Sequence, residues 1–179
     1  MLLQIALFLI QTIAHVLTAS FLFRFYAFLF RININSSGSG LGNFIFALTD
    51  WAVLPLRRIL PRIARIDLPS LLPALSVQLL LSLLKSWALM GGIHPGYFLY
   101  LFTIDTLSLI ISLLTGLLII QAVLSWIQTS SPMQYVLNQL TDPLLKPIRR
   151  LLPLVGGIDL SPLVALLLLQ VLGMVIQGF

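Results

Sequence analysis

The sequence contains no cysteine and no glutamate, and only 8% of its 179 residues are charged. Without cysteine there is no disulfide, thiol nucleophile, iron–sulfur ligation or covalent c-type haem attachment within the chain. Soluble domains carry about 25% charged residues. A surface this poor in charge cannot stay in water, which excludes an ordinary soluble globule, a disordered tail and a secreted disulfide scaffold. No HExxH, paired-carboxylate or Ser–His–Asp arrangement is present, so no catalytic residues, metal site or cofactor are expected.

What is there is apolar. Hydrophobic residues make up 59% of the chain, and the mean hydropathy is +1.08. The expected solvent is lipid. Ten Lys and Arg face five Asp. These cations are too few and too scattered for a long basic groove, so nucleic acid is not an expected partner. The first 24 residues have no positive charge before Arg24, and their apolar run is too long for a signal peptide. A retained helix is expected there.

A spanning helix needs roughly 20 apolar residues. Four segments qualify: about 2–23 (with an extension to Phe30), 68–90, 97–127 and 160–179. Each is expected to be helical, because a lone strand leaves its backbone unsatisfied in lipid. Basic residues fall between spans one and two (segment 31–67: Arg31, Arg57, Arg58, Arg62, Arg65). Others fall between spans three and four (segment 128–159: Lys146, Arg149, Arg150). The short connection at 91–96 has none. The positive-inside rule then places both basic segments in the cytoplasm and both termini outside.

The two basic segments are copies of one another. LTDWAVLPLRRILPRIARIDLPSL (48–71) aligns without a gap with LTDPLLKPIRRLLPLVGGIDLSPL (140–163), at an offset of 92 residues. The chain is therefore a tandem duplication, with repeats at 1–92 and 93–179. An even number of spans per repeat predicts two helical hairpins related by an axis along the membrane normal. In each repeat, Asp50 or Asp142 (or the preceding threonine) is expected to cap a short basic amphipathic helix at the interface, with Pro143 in its first turn. Pro55 and Pro147 are expected to kink or tighten it, and Pro61 and Pro153 to end it. Gly156-Gly157 permits a tight turn, and Asp67 and Asp159 are positioned to cap the next span. Arg57, Arg58, Lys146, Arg149 and Arg150 are expected to anchor topology and contact anionic headgroups or a protein partner. An Arg–Asp structural lock and a substrate or ion site are the alternatives.

LTDPLLKPIRRLLPLVGGIDLSP, preceded by SWIQTSSPMQYVLNQ, closely resembles the YggT family of bacterial and plastid integral membrane proteins. The resemblance covers nearly the whole chain, since that family also has two repeats. The first repeat departs from the pattern: Trp51 replaces the first proline, Ala64-Arg65 the glycine pair, and a Ser/Gly insert occupies 35–42. The resemblance implies a multi-pass protein of the bacterial inner membrane without an established enzymatic activity. It also implies osmotic-stress and cell-envelope or division roles in bacterial members, and thylakoid-complex biogenesis and nucleoid organisation in plastid relatives.

Ionisable residues inside spans are functional candidates by default. Lys85 and Asp105 lie equally far along the chain from Pro95, so an antiparallel hairpin places them at similar depth and predicts a pair. Lys85 snorkelling outward while Asp105 faces water is the alternative, and a proton or cation step a further one. His15, mid-span, is expected to be a hydrogen-bonded packing residue. Ser108, Ser112 and Gly116 form a small-residue stripe for close helix packing, within one bundle or in a homo-oligomer. Gln78, Gln121 and Gln170 are expected to hydrogen-bond across the core. Two functional readings result: a non-enzymatic envelope scaffold or assembly factor acting through its basic segments, or an oligomeric pore or ion-flux component in osmotic adaptation.

Overall fold

The computed structural model describes residues 1–34, 40–60, 66–126, 132–152 and 159–178. Six α-helices follow in order: α1 (Leu2–Leu29), α2 (Gly40–Ile59), α3 (Leu68–Met90), α4 (Pro95–Trp126), α5 (Pro132–Leu151) and α6 (Ser161–Gln177). Among the described residues three helices are long and apolar enough to cross a membrane, within Gln4–Leu29, Leu68–Met90 and Pro95–Ser125. The fourth expected span is the apolar α6, a shorter helix of 17 residues. Pro162 at its start and Gly178 at its end delimit it.

α2 and α5 are offset by 92 residues at both ends, the offset of the two aligned basic segments. α1 packs chiefly on α3, α3 on α4, and α4 on α6. α2 lies across α1 and α3, and α5 across α4 and α6. In α5 the buried residues Val136, Leu137, Leu140, Thr141 and Leu145 recur every three or four residues, the spacing of one helical face. Lys146, Arg149 and Arg150 lie off that stripe and are exposed.

Three apolar clusters hold the helices together, one of them Leu118 of α4, Leu145 of α5 and Ala165 of α6. Phe21 and Leu22 of α1 meet Val53 of α2 and Ala74 of α3. Phe23 and Ala27 meet Ile45, Leu117 and the α5 residues Val136, Leu137 and Leu140, which joins the two repeats. The Tyr26 hydroxyl adds a polar tie by donating to the Leu140 carbonyl at 2.8 Å.

The basic helices begin earlier than expected. Thr49, Asp50, Thr141, Asp142 and Pro143 lie inside α2 and α5, not at their starts. The apolar stripe upstream extends each helix by more than two turns. The threonine hydroxyls, freed from capping, donate back to the carbonyls of Ile45 and Leu137, four residues earlier. Pro55 lies within α2, and Pro143 and Pro147 within α5. Pro61, Pro153, Gly156 and Gly157 lie outside the described residues, as do Arg62 and Arg65.

α1 ends in a Schellman motif: Ile32 N–H donates to the Ala27 carbonyl at 2.8 Å and Arg31 N–H to that of Phe28 at 3.0 Å. The left-handed position usually belongs to glycine but is held here by Arg31 (φ 56°). α3 ends on a left-handed glycine, Gly91 (φ 68°).

Candidate functional site: paired and unpaired charges along the bundle

All five aspartates lie in the described residues, and each is in an ion pair. In both repeats the first arginine of the RR pair reaches the aspartate ten residues on. Arg57 Nη2 lies 3.3 Å from Asp67 Oδ2, and Arg149 Nε lies 2.8 Å from Asp159 Oδ2. Each pair ties the end of α2 or α5 to the start of the next helix. Asp67 is fully buried, and its Oδ2 also accepts from the Ser70 hydroxyl at 2.6 Å. It holds the N-cap position of α3 without a side-chain bond to the backbone: arginine and serine both meet Oδ2, and Oδ1 has no hydrogen-bond partner among the described residues. Asp159 lies one residue before the Leu160 N-cap of α6 and accepts the Ser161 N–H at 2.9 Å. Partial burial pushes the Asp159 carboxyl up. Hydrogen bonds from Ser161 and Arg149, with the arginine's charge, outweigh this and hold it below the ordinary carboxylate value.

Asp142 takes both Lys146 (3.2 Å) and Arg149 (3.3 Å) on the exposed side of α5. Its counterpart Asp50 does something else. It accepts from Arg24 Nη1 at 2.6 Å, and the same nitrogen donates to Thr49 Oγ1 at 2.7 Å. The Arg24 guanidinium sits 4.7 Å over the Phe46 ring and is almost wholly buried. The position corresponding to Arg24 in the second repeat is Gly116, so this tie exists once. Sequence reasoning missed it. The available signal was an arginine inside an apolar span facing a helix with its own acid.

Lys85 Nζ lies 2.6 Å from Asp105 Oδ2, joining α3 to α4. His15 on α1 is half-buried, and its Nε2 has no hydrogen-bond partner among the described residues. Gln121 Nε2 donates to Asn138 Oδ1 at 3.3 Å, but Gln78 makes no such bond and Gln170 is exposed. In the small-residue stripe Ser112 is exposed, and a Cβ placed on Gly116 meets nothing within 4 Å. That stripe does not carry close packing within this bundle.

With every aspartate engaged, Arg31, Arg58 and Arg150 have no side-chain carboxylate within ion-pair distance, and all three are exposed. They stand at the C-terminal ends of α1, α2 and α5, where cations favour the helix dipoles. Of the five cations expected to contact lipid or partner, three are tied to aspartate (Arg57, Lys146, Arg149) and two are not (Arg58, Arg150). Arg31 also lines a groove of about 540 Å³ with Phe30, Ile32, Gln139, Asp142, Pro143 and Lys146.

The chain is similar in sequence to known proteins. The family model for CCB3/YggT matches residues 3–88 and 100–179, one segment for each repeat. An Escherichia coli K12 protein described as "Uncharacterized protein YggT" is 41% identical over 136 residues, covering 73% of this chain and 69% of that one. An uncharacterized Vibrio alginolyticus protein is 40% identical over 130 residues, covering 71% and 70%. An uncharacterized Pseudomonas aeruginosa protein is 36% identical over 176 residues, covering 96% and 87%. No solved structure matches. The two matched segments and the long shared stretches with these relatives place the chain in the CCB3/YggT family.

Proposed function

We propose that this chain is a non-enzymatic membrane scaffold that spans the bacterial inner membrane four times, through α1, α3, α4 and α6. Its basic end docks on anionic headgroups. α2 and α5 lie at the interface with their apolar stripes inward. α6 rises only about 26 Å along its axis, so a slightly thinned bilayer accommodates it. The positive-inside rule puts the basic end in the cytoplasm and both termini outside.

The observation that carries this reading is the distribution of charge. The carboxylates are consumed internally, so the excess positive charge collects at helix ends on one side of the bundle. A juxtamembrane cation contributes about 1 kcal/mol of attraction to an anionic surface. Arg31, Arg58 and Arg150 together supply about 3 kcal/mol on that scale. A role in envelope assembly or osmotic homeostasis would follow from holding partners at such a surface. The pore is the alternative reading: the hydroxyls of Thr103 and Thr106 on α4 donate to their own helix carbonyls, which leaves Ser108, Ser112 and Thr115 as its candidate polar lining.

The test is lipid competition. The purified protein in nanodiscs of mixed phosphatidylcholine and phosphatidylglycerol should enrich phosphatidylglycerol around itself, read by spin-labelled lipid. The Arg31→Gln/Arg58→Gln/Arg150→Gln variant should lose that enrichment with its fold intact. Unchanged enrichment would remove the basis of the proposal, and potassium flux in liposomes altered by the same variant would replace it with the pore.

A further inference from the structure

Gln78 lies in the middle of α3 with no exposed surface, and neither its carboxamide nitrogen nor its oxygen has a hydrogen-bond partner. On α1, the Thr18 hydroxyl (1% exposed) and His15 Nε2 are likewise unpartnered among the described residues. Orphaned polar groups are costly inside a helical bundle and costlier still at bilayer depth. Three on facing helices point to something that satisfies them.

The helix register brings them together. Phe21 and Leu22 share a cluster with Ala74 at one level. His15 lies within electrostatic reach of both Lys85 and Asp105 at another. α1 and α3 are therefore antiparallel. Four residues back along α1 from Leu22 and four forward along α3 from Ala74 is one turn on each helix, so Thr18 comes level with Gln78. The next turn brings His15 level with the buried Ser82, and the Lys85–Asp105 pair adjoins it. One residue beyond Lys85, the buried Ser86 links this level to the 91–94 turn, its Oγ accepting the His94 backbone N–H at 3.4 Å. In the other direction the column stops. Phe21, Val53 and Ala74, each almost wholly buried, form an apolar layer across it.

A buried water needs two to four polar partners. The carboxamide of Gln78 offers a donor and an acceptor, the Thr18 hydroxyl offers both, and the imidazole offers one nitrogen. We infer that Gln78, Thr18 and His15 hold internal water next to the Lys85–Asp105 pair. The cluster is a proton-binding site reached from the Pro95 end and sealed from the basic end by Phe21, Val53 and Ala74. The proton arrives on water and is taken by the Nε2 lone pair of His15. One O–H bond breaks, one N–H bond forms, and the water remains. The charged groups facing His15 are Lys85 on α3 and Asp105 on α4. α2 contributes none at this level, since Asp50, Arg57 and Arg58, with Arg24 of α1, lie on the far side of the apolar layer. The ligand class is the proton with its hydration water, and the site binds without conducting.

The experiment is nuclear magnetic resonance on the full chain in nanodiscs, with histidine and glutamine side chains labelled with nitrogen-15. Water cross-peaks to the Gln78 carboxamide are expected, with reversible titration of His15. Thr18→Val, which keeps the side-chain shape, and Gln78→Leu should each weaken the water contact and move the His15 midpoint by about one pH unit, a tenfold change in proton affinity. No water contact at Gln78, no titration of His15, or a midpoint unmoved by Thr18→Val overturns the site. Should Gln78→Leu fail to fold, Thr18→Val and the wild-type water contact still decide the matter. Liposomes carrying the wild type should hold an imposed pH gradient as long as empty ones, and a fast leak overturns the seal.

Discussion

Replacing Asp50 with alanine is expected to cost more than replacing Arg24 with methionine, although both remove the same ion pair. Arg24 is 5% exposed, whereas Asp50 is 39% exposed. Losing the acid strands a guanidinium in an apolar interior with one neutral partner, Thr49. Breaking one side of a buried pair costs about 3–5 kcal/mol, and the partial exposure of Asp50 places this case at the low end, about 3 kcal/mol. Losing the arginine instead leaves a carboxylate that water can reach. The charged hydrogen bonds and the contact with Phe46 are lost, but methionine fills the space and the unpartnered Arg24 Nε disappears. The net cost is about 1 kcal/mol. The double variant should resemble Arg24→Met alone, giving a coupling of about 3 kcal/mol. The second repeat supplies an internal control. Asp142 meets only Lys146 and Arg149, which are 66% and 41% exposed. Asp142→Ala should therefore cost about 1 kcal/mol or less. Unfolding of the purified protein by denaturing detergent, followed by circular dichroism, reads all four variants. The reasoning fails if Asp50→Ala is no worse than Asp142→Ala, or if the Arg24 and Asp50 effects simply add.

Three further outcomes follow from the same geometry. Arg57→Gln should destabilise by about 3 kcal/mol because it leaves the fully buried Asp67 without its cation. Its neighbour Arg58→Gln should change stability by less than about 0.5 kcal/mol. Equal thermal shifts for the two would contradict the lock. Lys85→Met and Asp105→Asn should each destabilise the α3–α4 contact, and the double change should cost less than their sum in the same unfolding assay. The Asp159 carboxyl is held below its unfolded value, so its contribution is complete above the ordinary carboxylate pKa and is lost as pH falls through the depressed one. An acid-side loss of stability that Asp159→Asn does not reduce would show that other groups govern it.

Much of this was legible in the residues because the constraints are one-dimensional. A chain with this little charge cannot pack against water, and a backbone in lipid closes its hydrogen bonds within helices. The ten-residue spacing from Arg57 to Asp67 and from Arg149 to Asp159 recurs with the repeat, so an arginine–aspartate lock was open to consideration beside lipid contact. The equal distances of Lys85 and Asp105 from Pro95 pointed to their meeting. The starts of α2 and α5 were misplaced because threonine and aspartate are good caps and equally good partners for groups elsewhere. Here a neighbouring carbonyl took the hydroxyl, and a cation took the carboxylate. Sequence cannot rank those options, since each is satisfied by different atoms in space.

By itself, then, the sequence determined the apolar character, the helical class, the repeated segment and which charges are scarce. These depend on composition and period, which need no partner. Only the tertiary structure decided which cations the five aspartates consume and which stay free. It alone put Arg24 against Asp50 in the first repeat where glycine stands in the second, and left Thr18 and Gln78 buried without partners among the described residues. The reason is geometric: an ion pair or a buried amide is settled within a few ångströms, and that distance is fixed by how helices remote in sequence cross.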